Sequence, residues 1–272
     1  MSESEAPAVL YRQPAPNVAR MYDYLLDGKD NYAVDQEAAD RLIKLVPDLR
    51  NQVRNNREFL RRGVEALAQR GVRRFLDLGS GLPTQENVHQ VVHRIAPEAQ
   101  VVYVDMDRVA ATHGHALLAS NDGLVRMVEA DVRETAALLQ HPDVAALRPS
   151  TEPAEPIAVS AVALLHFMPE PQRILDSFRE WLPVGSYLML SHATPGTMSS
   201  EAVQEALEVY ERAGMRMYLR SPEEIADLFA GFELLDEGVA PVSRWGLTEV
   251  VVPTPTPTGG HFLGGIAVLR HR

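Results

Sequence analysis

Leu76-Asp77-Leu78-Gly79-Ser80-Gly81-Leu82-Pro83-Thr84 is the stretch on which the fold turns. Residues 73–78 read as a short strand, the two glycines as a tight turn, and residues 86–96 as a helix stopped by Pro97. A first strand that turns through glycine into a first helix is where open α/β sheets bind nucleotides. Downstream the alternation continues, with strands at 101–104 and 125–128 and a helix at 108–119 between them. Residues 157–165 are a nearly unbroken Val- and Ala-rich run, the mark of a parallel strand buried on both faces. Pro169 and Pro171 precede a helix ending near Leu182, and residues 186–190 are a further buried strand. Strands alternating with helices in units of about 25–35 residues predict a parallel, doubly wound sheet.

Both ends of the chain depart from this pattern. Helices at 200–213 and 222–229 precede candidate strands at 233–242 and 262–269, which suit an antiparallel hairpin on one sheet edge. Residues 253–260, Pro-Thr-Pro-Thr-Pro-Thr-Gly-Gly, read as a stiff loop between those strands. The first residues are polar and frayed, and from Val18 the chain is helical in pieces interrupted at Gly28 and Pro47. A clearer helix spans 55–70, where Phe59, Leu60, Gly63, Val64, Leu67 and Ala68 recur at three-and-four spacing before Gly71. The expected fold is α/β, with a Rossmann-like, doubly wound, mostly parallel seven-stranded sheet. An antiparallel C-terminal edge hairpin and an N-terminal helical lid complete it. Residues 1–70 form the lid segment and 71–272 the ligand-binding domain, as one compact unit.

Composition narrows what such a fold can do. The 272 residues include no cysteine, so there is no disulfide framework, thiolate nucleophile or Cys-ligated metal. A formal net charge of −11 opposes nonspecific attraction to phosphate backbones, although Arg50, Arg54, Arg57, Arg61 and Arg62 cluster locally. The longest largely apolar run, 157–168, falls short of the ~20 residues a membrane span needs, and no basic-then-apolar leader opens the sequence. A soluble, cytoplasmic protein without nucleic-acid or membrane partners is expected, its oligomeric state open.

The glycine turn carries the chemistry. A dinucleotide fingerprint would place a third glycine where this chain has Thr84, and Asp77 just before the turn would repel a pyrophosphate. Asp77 suits an ammonium group instead. Asp105, at the end of the second strand, can grip both hydroxyls of a ribose, and Asp131, after the third, can accept from an adenine amine. Any one of these acids could be a helix N-cap. Three at successive strand ends, in register with the turn, fit a single ligand: a nucleoside carrying a cationic amine and no phosphate.

These residues resemble the class I S-adenosylmethionine-dependent methyltransferase pattern of acidic-x-Gly-x-Gly with acids after strands two and three. More narrowly, the chain resembles a bacterial family of S-adenosyl methyltransferases, formerly a domain of unknown function. The resemblance rests on Ala19-Arg-Met-Tyr-Asp-Tyr-Leu25, Gly28-Lys-Asp-Asn31, Asn56-Arg-Glu-Phe-Leu60, Gly81-Leu-Pro-Thr84, Asn87-Val-His89, Val102-Tyr-Val-Asp105, Leu165-His-Phe167, Gly185-Ser-Tyr-Leu188 and Ser191-His-Ala193. Where the family usually reads Asp-Asn-Asp-Pro after strand two, this chain reads Asp105-Met106-Asp107-Arg108, which bears on the wall against adenine. The resemblance implies methyl transfer from S-adenosyl-L-methionine, leaving S-adenosyl-L-homocysteine. The cofactor-binding set is then Tyr22, Arg57, Asp77, Gly79, Ser80, Gly81, Asp105, Met106, Asp131, Val132 and Leu165. Tyr22 comes from the lid and Arg57 suits the methionine carboxylate. His166 and His192, taken to follow the fourth and fifth strands, are the candidate catalytic residues, with His166 placed to deprotonate a hydroxyl.

The expected acceptor is a small molecule with an oxygen or nitrogen nucleophile. A cofactor-binding regulator without catalysis is the alternative, and an NAD-dependent oxidoreductase a weaker one, opposed by Asp77 and Thr84. No metal is expected. His89-Gln-Val-Val-His93 has the spacing of a helical zinc pair, but Gln90 stands where the Glu base belongs and Val88, Val91, Val92 and Ile95 take the buried face.

Overall fold

The computed structural model describes residues 15–83, 86–118, 123–148, 154–235, 237–247 and 259–271. Five strands run parallel: β1 (Arg74–Leu78), β2 (Gln100–Asp105), β3 (Val125–Glu129), β4 (Ile157–Val162) and β5 (Tyr187–Thr194). At one side β8 (His261–Val268) runs antiparallel to β5, and β6 (Glu233–Leu234) and β7 (Ala240–Pro241) pair antiparallel with β8. The order is β3-β2-β1-β4-β5-β8-β6, with β7 also on β8. Strand order reverses at β1, between β2 and β4, and this switch point opens a crevice at the carboxyl ends of the strands.

Strand periodicity decides what faces that crevice. Phe75 points to one face of the sheet, and Leu76 and Leu78 to the other. Asp77 shares the Phe75 face, level with Tyr103 of β2 and Ser160 of β4. That face is covered by α1 (Val18–Leu25), α2 (Ala33–Leu45), α3 (Leu49–Gln69), α4 (Val88–His93), α5 (Arg108–Leu118) and α9 (Ser200–Arg212). The opposite face carries α6 (Thr135–Gln140), α7 (Pro142–Ala145), α8 (Pro171–Trp181) and α10 (Pro222–Asp227). Helix α3 lies close on β5, because a Cβ at Gly63 would fall 2.3 Å from the Met189 sulfur. The N-terminal helices share one apolar cluster with the sheet: Met21 and Leu25 pack with Leu42, Phe59, Val64 and Phe75.

Several boundaries differ from the sequence expectation, each for a physical reason. Helix α3 begins at Leu49, not near residue 55, since Gln52 and Asn56 are buried polar residues that break its apolar stripe. The expected strand at 233–242 is split into β6 and β7, with left-handed Gly238 between them. Leu235 and Val242 still donate to the β8 carbonyls of Ile266 and Phe262. This break makes the sheet eight-stranded where seven strands were expected. The apolar run at 157–165 leaves the sheet after Val162, where Ala163 adopts a left-handed φ of 56°, and Leu165–Phe167 form a 3-10 turn. β5 runs further than expected, through Ser191 and His192 to Thr194. Thr84, the first residues, expected to fray, and most of the Pro-Thr loop lie outside the described residues.

Candidate active site

Gly79 and Gly81 both hold left-handed φ, 66° and 65°. A Cβ at Gly79 would stand 2.6 Å from Leu164 Cδ1, so the turn requires glycine there in conformation and in space. The Gly79 N–H donates to Val104 O at 2.8 Å, and the Gly81 N–H to Asp105 Oδ2 at 2.8 Å. Asp105 Oδ1 accepts from the Asp107 N–H at 2.8 Å. Asp105 thus ties the glycine turn to the β2 end, and burial pushes its carboxyl above the usual carboxylate range.

Asp77 is 5% exposed and accepts from Ser160 Oγ on the neighbouring strand. Burial raises its pKa to about 6, against the Ser160 hydrogen bond and the Arg57 charge, while the Asp105 charge adds to the rise. Arg57, from α3, donates to Glu86 O at 3.0 Å and to Asn87 Oδ1 at 3.3 Å, across the glycine loop.

A cavity of about 320 Å³ fills the crevice, within the range typical of small-molecule sites. Tyr22, Arg57, Asp77, Gly79, Ser80, Gly81, Asp105, Met106, Asp131, Val132 and His166 all line it. Asp131 is at the wall with both carboxylate oxygens engaged by Arg133 at 2.6–2.9 Å, which lowers its pKa. Sequence reasoning missed the apolar lining: Met21, Leu26, Val53, Phe167, Met215 and Phe262, with Tyr210 beside them. It also missed Ser160, which the strand register opposite Asp77 could have revealed.

Two expected site residues are displaced. Leu165 is fully buried in the core beneath the 3-10 turn, because the turn aims His166 and Phe167 at the cavity and Leu165 away from it. His192 is inside β5 with 0% exposure, not after the strand, and does not line the cavity. Its Nδ1–H donates to Ala193 O at 2.8 Å and its Nε2 accepts from Arg220 Nη1 at 2.8 Å. With both nitrogens engaged and burial pushing its pKa down to about 4, His192 is a structural residue. Arg220 also reaches Met168 O at 3.0 Å and Leu165 O at 3.4 Å, holding the 3-10 turn.

His166 is buried and lies edge-on to His192, ring centroids 5.5 Å apart. The Ala193 N–H points at its Nδ1 at 3.4 Å, so the neutral ring carries its proton on Nε2. Burial, then the neighbouring His192 and Arg220, hold the ring neutral. In this tautomer His166 presents an N–H donor, with Nδ1 facing the Ala193 N–H. The zinc-like pair is engaged elsewhere, His89 with the Tyr103 hydroxyl at 2.8 Å and His93 with Ala99 O at 2.9 Å.

The chain matches the S-adenosyl methyltransferase family profile over residues 7–270 and belongs to that family. It is an S-adenosylmethionine-dependent methyltransferase. Among solved structures it is similar to a presumed methyltransferase of Thermobifida fusca YX, 38% identical, covering 94% of this chain and 96% of that one at a TM-score of 0.84. A protein from Streptomyces avermitilis, of a domain-of-unknown-function family, is 33% identical over 93% and 97% at a TM-score of 0.82. A trans-methyltransferase solved with S-adenosylhomocysteine shares the fold at 17% identity, over 92% and 72%, with a TM-score of 0.54. No curated protein matches.

Proposed function

We propose that the chain transfers a methyl group to a small, apolar, uncharged or cationic molecule through an oxygen or nitrogen nucleophile. The observation that carries this is the charge of the cavity wall. Among the described residues five carboxylates line it with one arginine, Arg57; with Asp77 and Asp105 on the cofactor and Asp131 held by Arg133, Asp23 and Asp107 remain to repel phosphorylated or carboxylated acceptors.

When bound, S-adenosylmethionine supplies an electrophilic methyl group on a sulfonium. Asp77 would take its ammonium, Arg57 and Tyr22 its carboxylate, and Asp105 its ribose hydroxyls. Met106, Val132 and Asp131 would hold the adenine. The residues fit this ligand because buried Asp77 and Asp105 line the cavity at neighbouring strand ends, with Arg57 on the same wall. Residues 15–70 act as a lid whose α1 closes the far side of the cavity.

At the acceptor end, Met21, Leu26, Val53, Phe167, Met215 and Phe262 exclude water and orient the substrate. His166 Nε2–H donates a hydrogen bond to the acceptor. Positioning of this kind is worth about 7–11 kcal/mol, more than the ~10²–10⁴-fold a general base adds. Positioning is therefore the larger contribution, and the proton that the acceptor loses on methylation passes to water. The test is methyl-labelled S-adenosylmethionine with a panel of neutral, cationic and anionic hydroxyl and amine compounds. Label is expected in neutral or cationic apolar members; turnover confined to anionic members would overturn the reading.

A further inference from the structure

A line of buried hydrogen bonds runs from the end of β4 to the cavity wall. Left-handed Ala163 sends its N–H to Ser191 Oγ at 3.0 Å. Ser191 Oγ donates to Asn56 Oδ1 at 2.6 Å, and Asn56 Nδ2 donates to the Tyr22 hydroxyl oxygen at 3.0 Å. Ser191 and Asn56 are wholly buried, and Tyr22 lines the cavity. Asn56 and Ser191 have no part in the function proposed above.

The polarity of this line runs one way. A backbone N–H can only donate, so Ser191 accepts from Ala163 and turns its own O–H to Asn56. Asn56 Oδ1 accepts that proton, which leaves Nδ2 to donate to Tyr22. The two distances agree, since 2.6 Å suits O–H···O and 3.0 Å suits N–H···O. Flipping the amide would strip the buried Ser191 O–H of this acceptor, a costly loss. Tyr22 is thus filled on its accepting side and must send its own proton elsewhere. Its one acceptor contact among the described residues is Val53 O, at a long 3.5 Å. Burial keeps the hydroxyl protonated, and the charge of Arg57 acts on both Tyr22 and Asp77, placing the donor in the field that an amino-acid zwitterion would enter.

We propose that Asn56, polarised by Ser191 and the Ala163 N–H, is a positioning residue that makes Tyr22 a fixed hydrogen-bond donor to the methionine carboxylate of the cofactor. The inference rests on the methyltransferase reading. Asn56→Asp keeps the size of the side chain and reverses the polarity, because a carboxylate accepts from Ser191 and Tyr22 alike and draws the Tyr22 proton out of the cavity.

The experiment is calorimetric titration of wild type, Asn56→Asp, Tyr22→Phe and the double variant with S-adenosylhomocysteine and with 5′-methylthioadenosine, which lacks the amino-acid end. Asn56→Asp and Tyr22→Phe are each expected to weaken S-adenosylhomocysteine about tenfold, and the double variant no more than either. All four proteins should bind 5′-methylthioadenosine within about twofold of one another, which a general structural defect would not allow. Ser191→Ala frees the amide to flip without adding a charge, and should lose S-adenosylhomocysteine affinity in the same direction even if Asn56→Asp folds poorly. Unchanged S-adenosylhomocysteine affinity in Asn56→Asp and Ser191→Ala, additive losses in the double variant, or equal losses for both nucleosides would overturn the proposal. Failure of wild type to bind either nucleoside would instead bring down the cofactor reading on which it stands.

Discussion

Two sets of residues make the cavity wall. Asp77, the Gly79–Gly81 turn and Asp105 come from two neighbouring strand ends. Met21, Val53, Phe167, Tyr210 and Met215 come from α1, α3, the 3-10 turn, α9 and the segment after it. The first set is polar and held by backbone geometry, and the second is largely apolar and assembled by packing. One chemistry, a fixed cofactor with a variable acceptor, accounts for the contrast: exact charges at the constant ligand, replaceable surface at the changing one.

The sharpest way to break this contrast is Asp77→Asn. Removing the carboxylate that pairs with the ligand ammonium should weaken S-adenosylhomocysteine by about a hundredfold, the scale of a buried charge-assisted hydrogen bond. The same change should raise the melting temperature of the ligand-free protein at pH 7.5. A rise in pKa from 3.8 to about 6 means the buried charge opposes folding by roughly 3 kcal/mol once ionised. Calorimetry and a thermal melt on one preparation check both signs.

A pH series should show the next largest effect. The folded pKa of Asp77 lies above its unfolded value, so its protonated form is favoured by folding, and the stability penalty grows from about pH 4 to pH 6 as the group ionises. Ligand binding runs the other way, because the ammonium needs the ionised form. Affinity for S-adenosylhomocysteine should fall about tenfold per unit as pH drops below about 6, and this slope should be lost in Asp77→Asn. Asp105, also raised by burial, adds a smaller dependence of the same sign.

The acceptor end should respond differently. Ala213→Trp, at the end of α9 on the apolar wall, is expected to change which acceptors turn over by about tenfold while S-adenosylhomocysteine affinity stays within about twofold. Labelled turnover beside calorimetry separates the two. The smallest effect on chemistry should come from His192→Asn, which removes a satisfied, buried ring. It should lower the melting temperature by a few degrees, corresponding to about 1–3 kcal/mol, and leave the pH profile of kcat unmoved.

The same contrast explains what the sequence discloses. Asp77 and Asp105 are legible because strands have a period of two and the turn sits where one strand ends. Register then sets them with no knowledge of the rest of the fold. Asp131 reaches the wall as the spacing predicts, but the Arg133 grip two residues on is a local pairing that strand patterns do not encode. His192 and Leu165 miss the cavity because β5 extends to Thr194 and β4 stops at Val162, boundaries set by pairing with β8 and by the left-handed Ala163. The apolar wall is illegible, since Met21 or Met215 looks like any core residue until α1 and α9 are brought together. Asn56 stands in the sequence within a stretch that carries the family resemblance and as a flaw in the α3 stripe, and its hydrogen-bonded line to Tyr22 shows only in the fold.

The most direct test of the central claim is calorimetric titration of the purified protein with S-adenosylhomocysteine and, separately, with NAD. Saturable binding of S-adenosylhomocysteine and none of NAD is predicted, because Asp77 welcomes an ammonium and repels a pyrophosphate. Binding of NAD without S-adenosylhomocysteine would contradict the account of Asp77 and Asp105 and of the cavity they define.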